Sequence, residues 1–386
     1  MTSIVILVDG THPYGAQRVA LDLSQELGRR VRCTLVTYKQ PASGSERAEL
    51  GAADTYHLRR RLGGIPGAVE LAVRLRRLVR SQPVDAVISF MEYANAVTAL
   101  ALVGTRTAHV MTQHGVISDG AFTAHENAAW NRLASRATYP RADAIVCVSD
   151  AVSDDLRTVM PRLRQETVVR IYNPVDRARL AASAQATPPH EWMRPGSGLR
   201  VLVVVGALKP VKNQRFALKV LAQLPQEFRL VLVGDGPDRG ALELAVGELG
   251  LHHRVAFVGW QHNAPVWMRH AETVLVPSHN EGFGLSAVEA AAIGARVVVA
   301  ASPGLVEVAR LLGLETIGPG DVTSWVQALK EQRPRVEPSP DASFALFEPQ
   351  RVAAAYLDVV DLARGLRQRR AERVTVPSGR TGGRSS

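Results

Sequence analysis

The stretch VPSHNEGFGLSAVEAAAIGARVVVA, residues 276–300, decides how the second half of this chain folds. An apolar run ends at Ser278, the turn NEGFG holds Phe283 between two glycines, and the helical period LSAVEAAAIG leads into another β-branched run. Strand, glycine turn, helix, strand is the repeating unit of a parallel α/β sheet. Gly282 and Gly284 permit close backbone approach, and unpaired N–H groups from Gly284 to Ser286 at a helix start suit a phosphate. Glu281 lies in the turn and Glu289 one turn into the helix, where a carboxylate accepts hydrogen bonds from hydroxyls such as those of a ribose. A capping role for Glu281 and a solvated surface role for Glu289 are the plain alternatives.

Outward from this stretch the same unit recurs. RVLVVVGAL, FRLVLVGDG and RVAFVGW precede it, and IVILVDG, CTLVTY, AVISF, HVMTQHG and AIVCVSD give the first half the same alternation of apolar runs and helical periods. With 386 residues the chain suits two domains, each large enough to bury a substantial core. Residues 178–198, rich in Pro, Ala, Ser and Gly, resemble an interdomain linker. The expected class is α/β, with two Rossmann-like doubly wound domains facing a central cleft and ligands at the carboxyl ends of the strands. A Pro-rich interruption, QRPRVEPSPDASF, precedes a last helical stretch that crosses back onto the first domain. The expected bounds are 1–180, 181–348, 349–370 for the returning helix and 371–386 for a disordered basic tail.

Hydrophobic residues at 46% and charged residues at 21% fit a soluble globular protein, and no apolar run reaches the roughly 20 residues of a membrane span. No basic leader precedes MTSIVILVDG, so the expected location is cytoplasmic. Cys33 and Cys147 are too few for a disulfide framework or a paired zinc site and read as buried thiols. The net charge of +10 is mostly tail: seven arginines and one glutamate from Arg364 onward leave +4 for the rest, which argues against a nucleic-acid partner. Residues 59–80, RRRLGGIPGAVELAVRLRRLVR, are basic and amphipathic. Packing of Val69, Val73 and Arg76 against the sheet is the ordinary expectation, and contact with anionic lipid the alternative.

Three further segments occupy ligand-facing positions. In VDGTHPYGAQRVALDL a strand ends at Asp9 and a helix begins near Gln17, with Gly15 able to admit a phosphate; a simple tight turn explains it equally well. In VVGALKPVKNQRFALKVL, Lys209 and Lys212 precede a helix and would suit a diphosphate, unless they are solvated loop lysines. In HVMTQHGVISDG, His114 follows a strand, where it can donate to a ligand or move a proton; a satisfied polar side chain is the plain alternative, and its place opposite the glutamate segment favours the ligand role.

Residues 276–300, with VGDGPDRGALE and FVGW before them and VCVSDAVSDDL and YNPVD at the end of the first half, resemble the retaining GT-B glycosyltransferases of family 4. The resemblance implies a nucleotide-sugar donor held by the C-terminal domain and an acceptor held by the N-terminal one. Glu281 would contact donor-sugar hydroxyls, and Phe283, Gly284 and Leu285 would present backbone to sugar and diphosphate. Glu289 would grip the ribose, Lys212 would neutralise the diphosphate, Gly15 would face it, and His114 would lie near the transferred sugar. Two departures stand out: Ala207 replaces an arginine usual five residues before the lysine, and Tyr14 replaces the first glycine of a pair. Lys209 is expected to substitute for the missing arginine.

The implied reaction is a retaining, metal-independent hexosyl transfer with no cofactor, the nucleoside-diphosphate sugar being a co-substrate and UDP the expected nucleotide. The Ala, Arg and Val bias resembles GC-rich actinobacterial genes, whose related enzymes glycosylate aminocyclitols and aminoglycosides in antibiotic biosynthesis. Asp119 and Glu126 could attract such a cationic acceptor, and a solvated loop explains them equally well. A lipid-linked or cell-surface glycan acceptor, and a degenerate nucleotide-sugar-binding subunit without activity, are the competing expectations.

Overall fold

The computed structural model describes residues 1–10, 15–39, 53–118, 135–331 and 343–375. Tyr14, Asp119 and Glu126 lie outside the described residues, as does the chain beyond residue 375. No helix among the described residues is long and apolar enough to cross a membrane.

The first half builds strands β1 (Ser3–Val8), β2 (Arg32–Thr37), β3 (Asp54–His57), β4 (Ala86–Phe90), β5 (Ala108–Gln113), β6 (Ala144–Cys147) and β7 (Val168–Arg170). They pair in parallel in the order β3-β2-β1-β4-β5-β6-β7. The second half builds β8 (Arg200–Val205), β9 (Phe228–Val233), β10 (Val255–Gly259), β11 (Thr273–Val276), β12 (Val297–Ala300) and β13 (Glu315–Ile317), ordered β10-β9-β8-β11-β12-β13 and again parallel. Helices cover both faces of such sheets, so the central strands are buried along their length and β1 and β8 are nearly continuous runs of Val, Ile and Leu. β3, β7 and β13, absent from the sequence expectation, are short and lie at or next to a sheet edge, where a strand need not be uniformly apolar.

The described helices are α1 (Gly15–Gly28), α2 (Gly64–Ser81), α3 (Glu92–Ala101), α4 (Asp150–Val159), α5 (Arg177–Ala184), α6 (Gln214–Gln223), α7 (Arg239–Glu248), α8 (Ala264–His270), α9 (Leu285–Ala292), α10 (Pro303–Leu312), α11 (Val322–Lys330) and α12 (Pro349–Thr375). Helix α1 starts two residues before the expected Gln17. The stretch expected to be a linker is partly ordered structure: α5 is capped by Asp176, which accepts from the Arg179 N–H at 3.0 Å, and it buries Leu180 and Ala184. Leu180 and Ala184 are one helical turn apart and so share a face, which composition alone conceals.

In α2 the phase of packing differs from expectation. Leu71, Ala72, Leu75 and Val79 carry the burial, whereas Val69 and Val73 are exposed. Arg76 donates to the carbonyls of Ala101 and Val103, which ties α2 to the end of α3.

Helix α12 returns to the first sheet, where Val352, Ala353, Tyr356, Val359, Val360 and Ala363 join Ile4, Ile6, Ile88 and Val110 in one core. It continues through residues 371–375, expected to be disordered, and three of its arginines are anchored before that point. Arg364 pairs with Asp85 at 3.0 Å, and Arg367 and Arg370 reach the buried Asp143 at 3.5 and 3.7 Å. These cations are therefore committed to the fold. Both cysteines are buried free thiols, pushed up to about 12 mainly by burial.

Another core runs between the two sheets. Tyr172, Phe283 and Phe347 form a triangle with ring centroids 5.4–5.7 Å apart, and the Val175 N–H donates to the Phe347 carbonyl at 2.8 Å.

Candidate active site

In each sheet the strand order reverses once, between β1 and β4 and between β8 and β11, and such switch points open a crevice at the carboxyl ends of the strands. Lys212 and Glu281 follow β8 and β11, the strands that flank the second switch point, and His114 follows β5, the neighbour of β4 in the first sheet. Lys212 ends the short 3₁₀ turn Pro210–Lys212, which docks on the segment after β11: the His279 N–H donates to the Val211 carbonyl at 3.0 Å and Asn213 Nδ2 to the Pro277 carbonyl at 3.2 Å. That docking brings Lys212 Nζ within 2.5 Å of Glu281 Oε1, which also accepts from Ser278 Oγ at 2.9 Å. Both partners are largely covered, so the pair holds an ammonium and a carboxylate in mutual neutralisation at the mouth of the second sheet. Lys209 is exposed on the same turn, and the Ala207 carbonyl accepts from Gln214 Nε2 at 2.9 Å.

The turn holding Glu281 touches the opposite domain. A Cβ on Gly282 would lie 1.9 Å from the His114 carbonyl oxygen, so only glycine fits there. The Gly282 carbonyl accepts from Ser149 Oγ at 2.5 Å, and Glu307 of α10 accepts from the N–H groups of Asp150 and Ala151 at 3.0 and 3.2 Å. A carboxylate at the N-terminus of α4 is favoured by the helix dipole as well as by these bonds. Sequence reasoning missed Ser149 and Glu307 because each acts on a residue far away in the chain. The only local signal was Ser149 as a helix cap, its Oγ accepting from the Val152 N–H at 3.1 Å.

His114 is half-buried, stacked on Phe90 at 5.2 Å, with Nε2 3.0 Å from Thr112 Oγ1. The Thr112 hydroxyl hydrogen goes to the Ser89 carbonyl at 2.9 Å, so Thr112 accepts from His114 and Nδ1 keeps its lone pair. Burial pulls the imidazole down to about 4, which leaves it neutral and an acceptor at Nδ1 around pH 7.

Gly284 caps α9 at φ +82°, a left-handed conformation that glycine adopts freely, and it contributes no side-chain acceptor to the first N–H groups of that helix. The Phe283 side chain is committed to the aromatic triangle, so only its backbone is available to a ligand. Leu285 packs against the core of the first domain. Glu289 is half-buried, raised to about 7 by burial and by the Asp22 carboxylate, with Arg18 opposing. Asp22 and Arg18 belong to α1, where Asp22 pairs with Arg18 at 2.7 Å and with Arg179 at 3.1 Å. Gly15 opens α1 at φ +32°, with nothing within 4 Å of the position its Cβ would take.

The first domain adds residues that the sequence did not single out. Asp9, directly after β1, accepts from Lys39 Nζ and Gln17 Nε2, each at 3.0 Å. After β4, Met91 has φ 75° and ψ 156°, a conformation costly for a side-chain-bearing residue, and it leads into Glu92 and Tyr93. Tyr93 packs at a tilt against Tyr38, ring centroids 5.5 Å apart, and lies under the Arg60 guanidinium at 5.7 Å.

Residues 13–179 match the family model Glycosyltransferase Family 4, and residues 194–331 match Glycosyl transferases group 1, together about four fifths of the chain. A 2-deoxystreptamine glucosyltransferase from Streptomyces kanamyceticus is 32% identical over 161 residues, covering 40% of this chain and 42% of that protein. A D-inositol 3-phosphate glycosyltransferase from Xylanimonas cellulosilytica is 30% identical over 251 residues, covering 56% of this chain and 58% of that protein. The chain thus spans less than two thirds of the length of either relative. Among solved structures, Anabaena HepE in complex with UDP and glucose superposes with a TM-score of 0.72 at 21% identity, over 97% of this chain and 99% of that one. The sucrose-phosphate synthase of Thermosynechococcus elongatus gives 0.69 at 18% identity, over 97% and 100%. With two facing parallel sheets in the GT-B arrangement and family matches to both halves, the chain belongs to the family 4, group 1 glycosyl transferases.

Proposed function

We propose that the chain is a retaining glycosyltransferase that moves a sugar from a UDP-sugar to a hydroxyl of a small cyclitol-type acceptor. The observation that carries this reading is the Lys212–Glu281 pair at the switch point of the second sheet, beside a glycine turn in contact with the His114 loop. Departure of a nucleoside diphosphate builds negative charge on phosphate and positive charge on the anomeric carbon. Lys212 meets the first need. When the diphosphate takes up the ammonium, Glu281 is released to accept from donor-sugar hydroxyls. Lys209 takes the place of the arginine that Ala207 lacks, Gly15 and the α9 N–H groups around Gly284 and Leu285 bracket the phosphates, and Phe283 presents backbone. His114 Nδ1 accepts from a sugar hydroxyl, and attack occurs on the face the phosphate leaves, without a protein nucleophile.

UDP as the nucleotide is supported by structures of Anabaena HepE with UDP and UDP-glucose. A cyclitol acceptor is supported by relatives named for 2-deoxystreptamine and D-inositol 3-phosphate. Asp9 and Glu92, at the carboxyl ends of β1 and β4, suit an amino-substituted or polyhydroxylated ring. The test is donor hydrolysis and transfer: UDP release from UDP-glucose, accelerated by 2-deoxystreptamine or an inositol, is expected to persist in EDTA. Intact UDP binding without any UDP release, whatever the acceptor, would instead assign a binding subunit. Strict Mg²⁺ dependence would remove the lysine-centred mechanism.

Glu289 gives the site a pH signature. The native state keeps its proton to about pH 7 while the unfolded chain releases it near 4.5, so this group lowers stability as pH rises through that interval. Binding runs the other way, because accepting from two ribose hydroxyls calls for the carboxylate. With the carboxyl titrating at about 7, UDP affinity is expected to rise about tenfold from pH 6 to pH 8, and Glu289→Gln to flatten the profile. A pH-independent wild type in calorimetric titration would take Glu289 off the ribose.

A further inference from the structure

We propose that the outward face of α2 docks on an anionic lipid surface. Ten large apolar side chains are exposed among the described residues, and six of them gather here: Leu62, Ile65, Val69 and Val73 on and before α2, and Leu100 and Val103 at the end of the adjoining α3. Single exposed apolar residues are ordinary, but a contiguous row is not. Ile65, Val69 and Val73 follow at one-turn steps and form a stripe, continued by Arg77, on the side of α2 opposite the buried Leu71, Leu75 and Val79. Each of the six is roughly half exposed, so the row is not sunk into the protein and awaits another surface.

Charge selects that surface. Arg59, Arg61, Arg77 and Arg80 are exposed around the stripe. The one acid of residues 59–80, Glu70, is already engaged by Arg74 at 2.9 Å and by the N–H groups of Arg61 and Leu62 at 3.0 and 3.1 Å. A second copy laid face to face would set these arginines against themselves, which disfavours a symmetric dimer. An anionic bilayer meets both features, with headgroup phosphates for the guanidinium groups and the acyl boundary for Ile65, Val69 and Val73. The start of α2 follows the carboxyl end of β3, so docking holds the first domain's half of the crevice beside the headgroup layer.

Co-sedimentation with vesicles tests this. The full chain is expected to bind vesicles of equal parts phosphatidylcholine and phosphatidylglycerol, to release with salt, and to ignore pure phosphatidylcholine. Combining Ile65→Ser, Val69→Ser and Val73→Ser is expected to weaken that binding about tenfold or more, as is Arg77→Glu with Arg80→Glu, with circular dichroism and thermal midpoint unchanged. Undiminished binding by the serine variant would overturn the proposal. So would loss of binding on combining Arg380→Ser with Arg384→Ser, which would assign the affinity to the basic tail. A concentration-dependent dimer in ultracentrifugation that the serine variant dissolves would overturn it in favour of self-association.

Discussion

Lys212→Ala is expected to lower kcat/KM for the donor by about 10²–10³-fold, the usual loss when one donor aimed at developing charge is removed. The change has two parts. In the proposed mechanism it removes the cation that meets the leaving diphosphate, and it strands the largely covered Glu281 carboxylate with Ser278 Oγ as its remaining partner. Lys212→Arg keeps the charge and is expected to restore part of the rate. Lys209→Ala, on the exposed side of the same turn, is expected to weaken donor binding about tenfold, as loss of one charge-assisted hydrogen bond does. Steady-state kinetics on all three variants checks the division of labour. If Lys209→Ala left donor affinity and turnover unchanged while Lys212→Ala abolished them, Lys209 would not be the replacement for the arginine absent at Ala207.

Gly282→Ala is expected to be the next most damaging change although it touches no charge. The new methyl would meet the His114 carbonyl at 1.9 Å, backbone against side chain, with neither partner able to swing away. Forcing the turn and the His114 loop apart is expected to disfavour the closed arrangement by about 1–3 kcal/mol, equivalent to roughly 5–150-fold in activity. The same displacement would pull the Gly282 carbonyl from Ser149 and loosen the Glu307 bonds at the start of α4. Gly240→Ala, in open space on α7, provides the control and is expected to be neutral. Wild-type kcat/KM in Gly282→Ala would mean that catalysis does not need this contact between the domains.

How much of this was legible in the sequence depends on whether the determining interaction is local. Central strands such as β1, β4, β9 and β12 announce themselves because burial on both faces demands an unbroken apolar run. The glycine turn before α9 does so because Gly282 and Gly284 interrupt a strand-to-helix passage. The edge strand β3, reading DTYH, has no such constraint and no such signature. Lys212 and Glu281 were each visible as residues fit for a phosphate or a sugar, but their pairing at 2.5 Å spans 69 positions and follows only from the docking of two turns. Ser149 and Glu307 were invisible as site residues for the same reason. The expected orientation of α2 differs because Val69 and Val73 are as apolar as Leu71 and Leu75, and periodicity alone does not say which of two opposite stripes faces the sheet.

The return of α12 also bears on how the protein is made. Six of its side chains, Val352 to Ala363, complete the core over β1 and β4, strands that leave the ribosome long before it. Until the second domain has been synthesised and the chain doubles back, that apolar face is covered by α1 without α12, although domains generally fold in order of emergence. The earlier of these two domains is thus the last to be finished, and through the intervening synthesis its half-covered β-surface is open to aggregation.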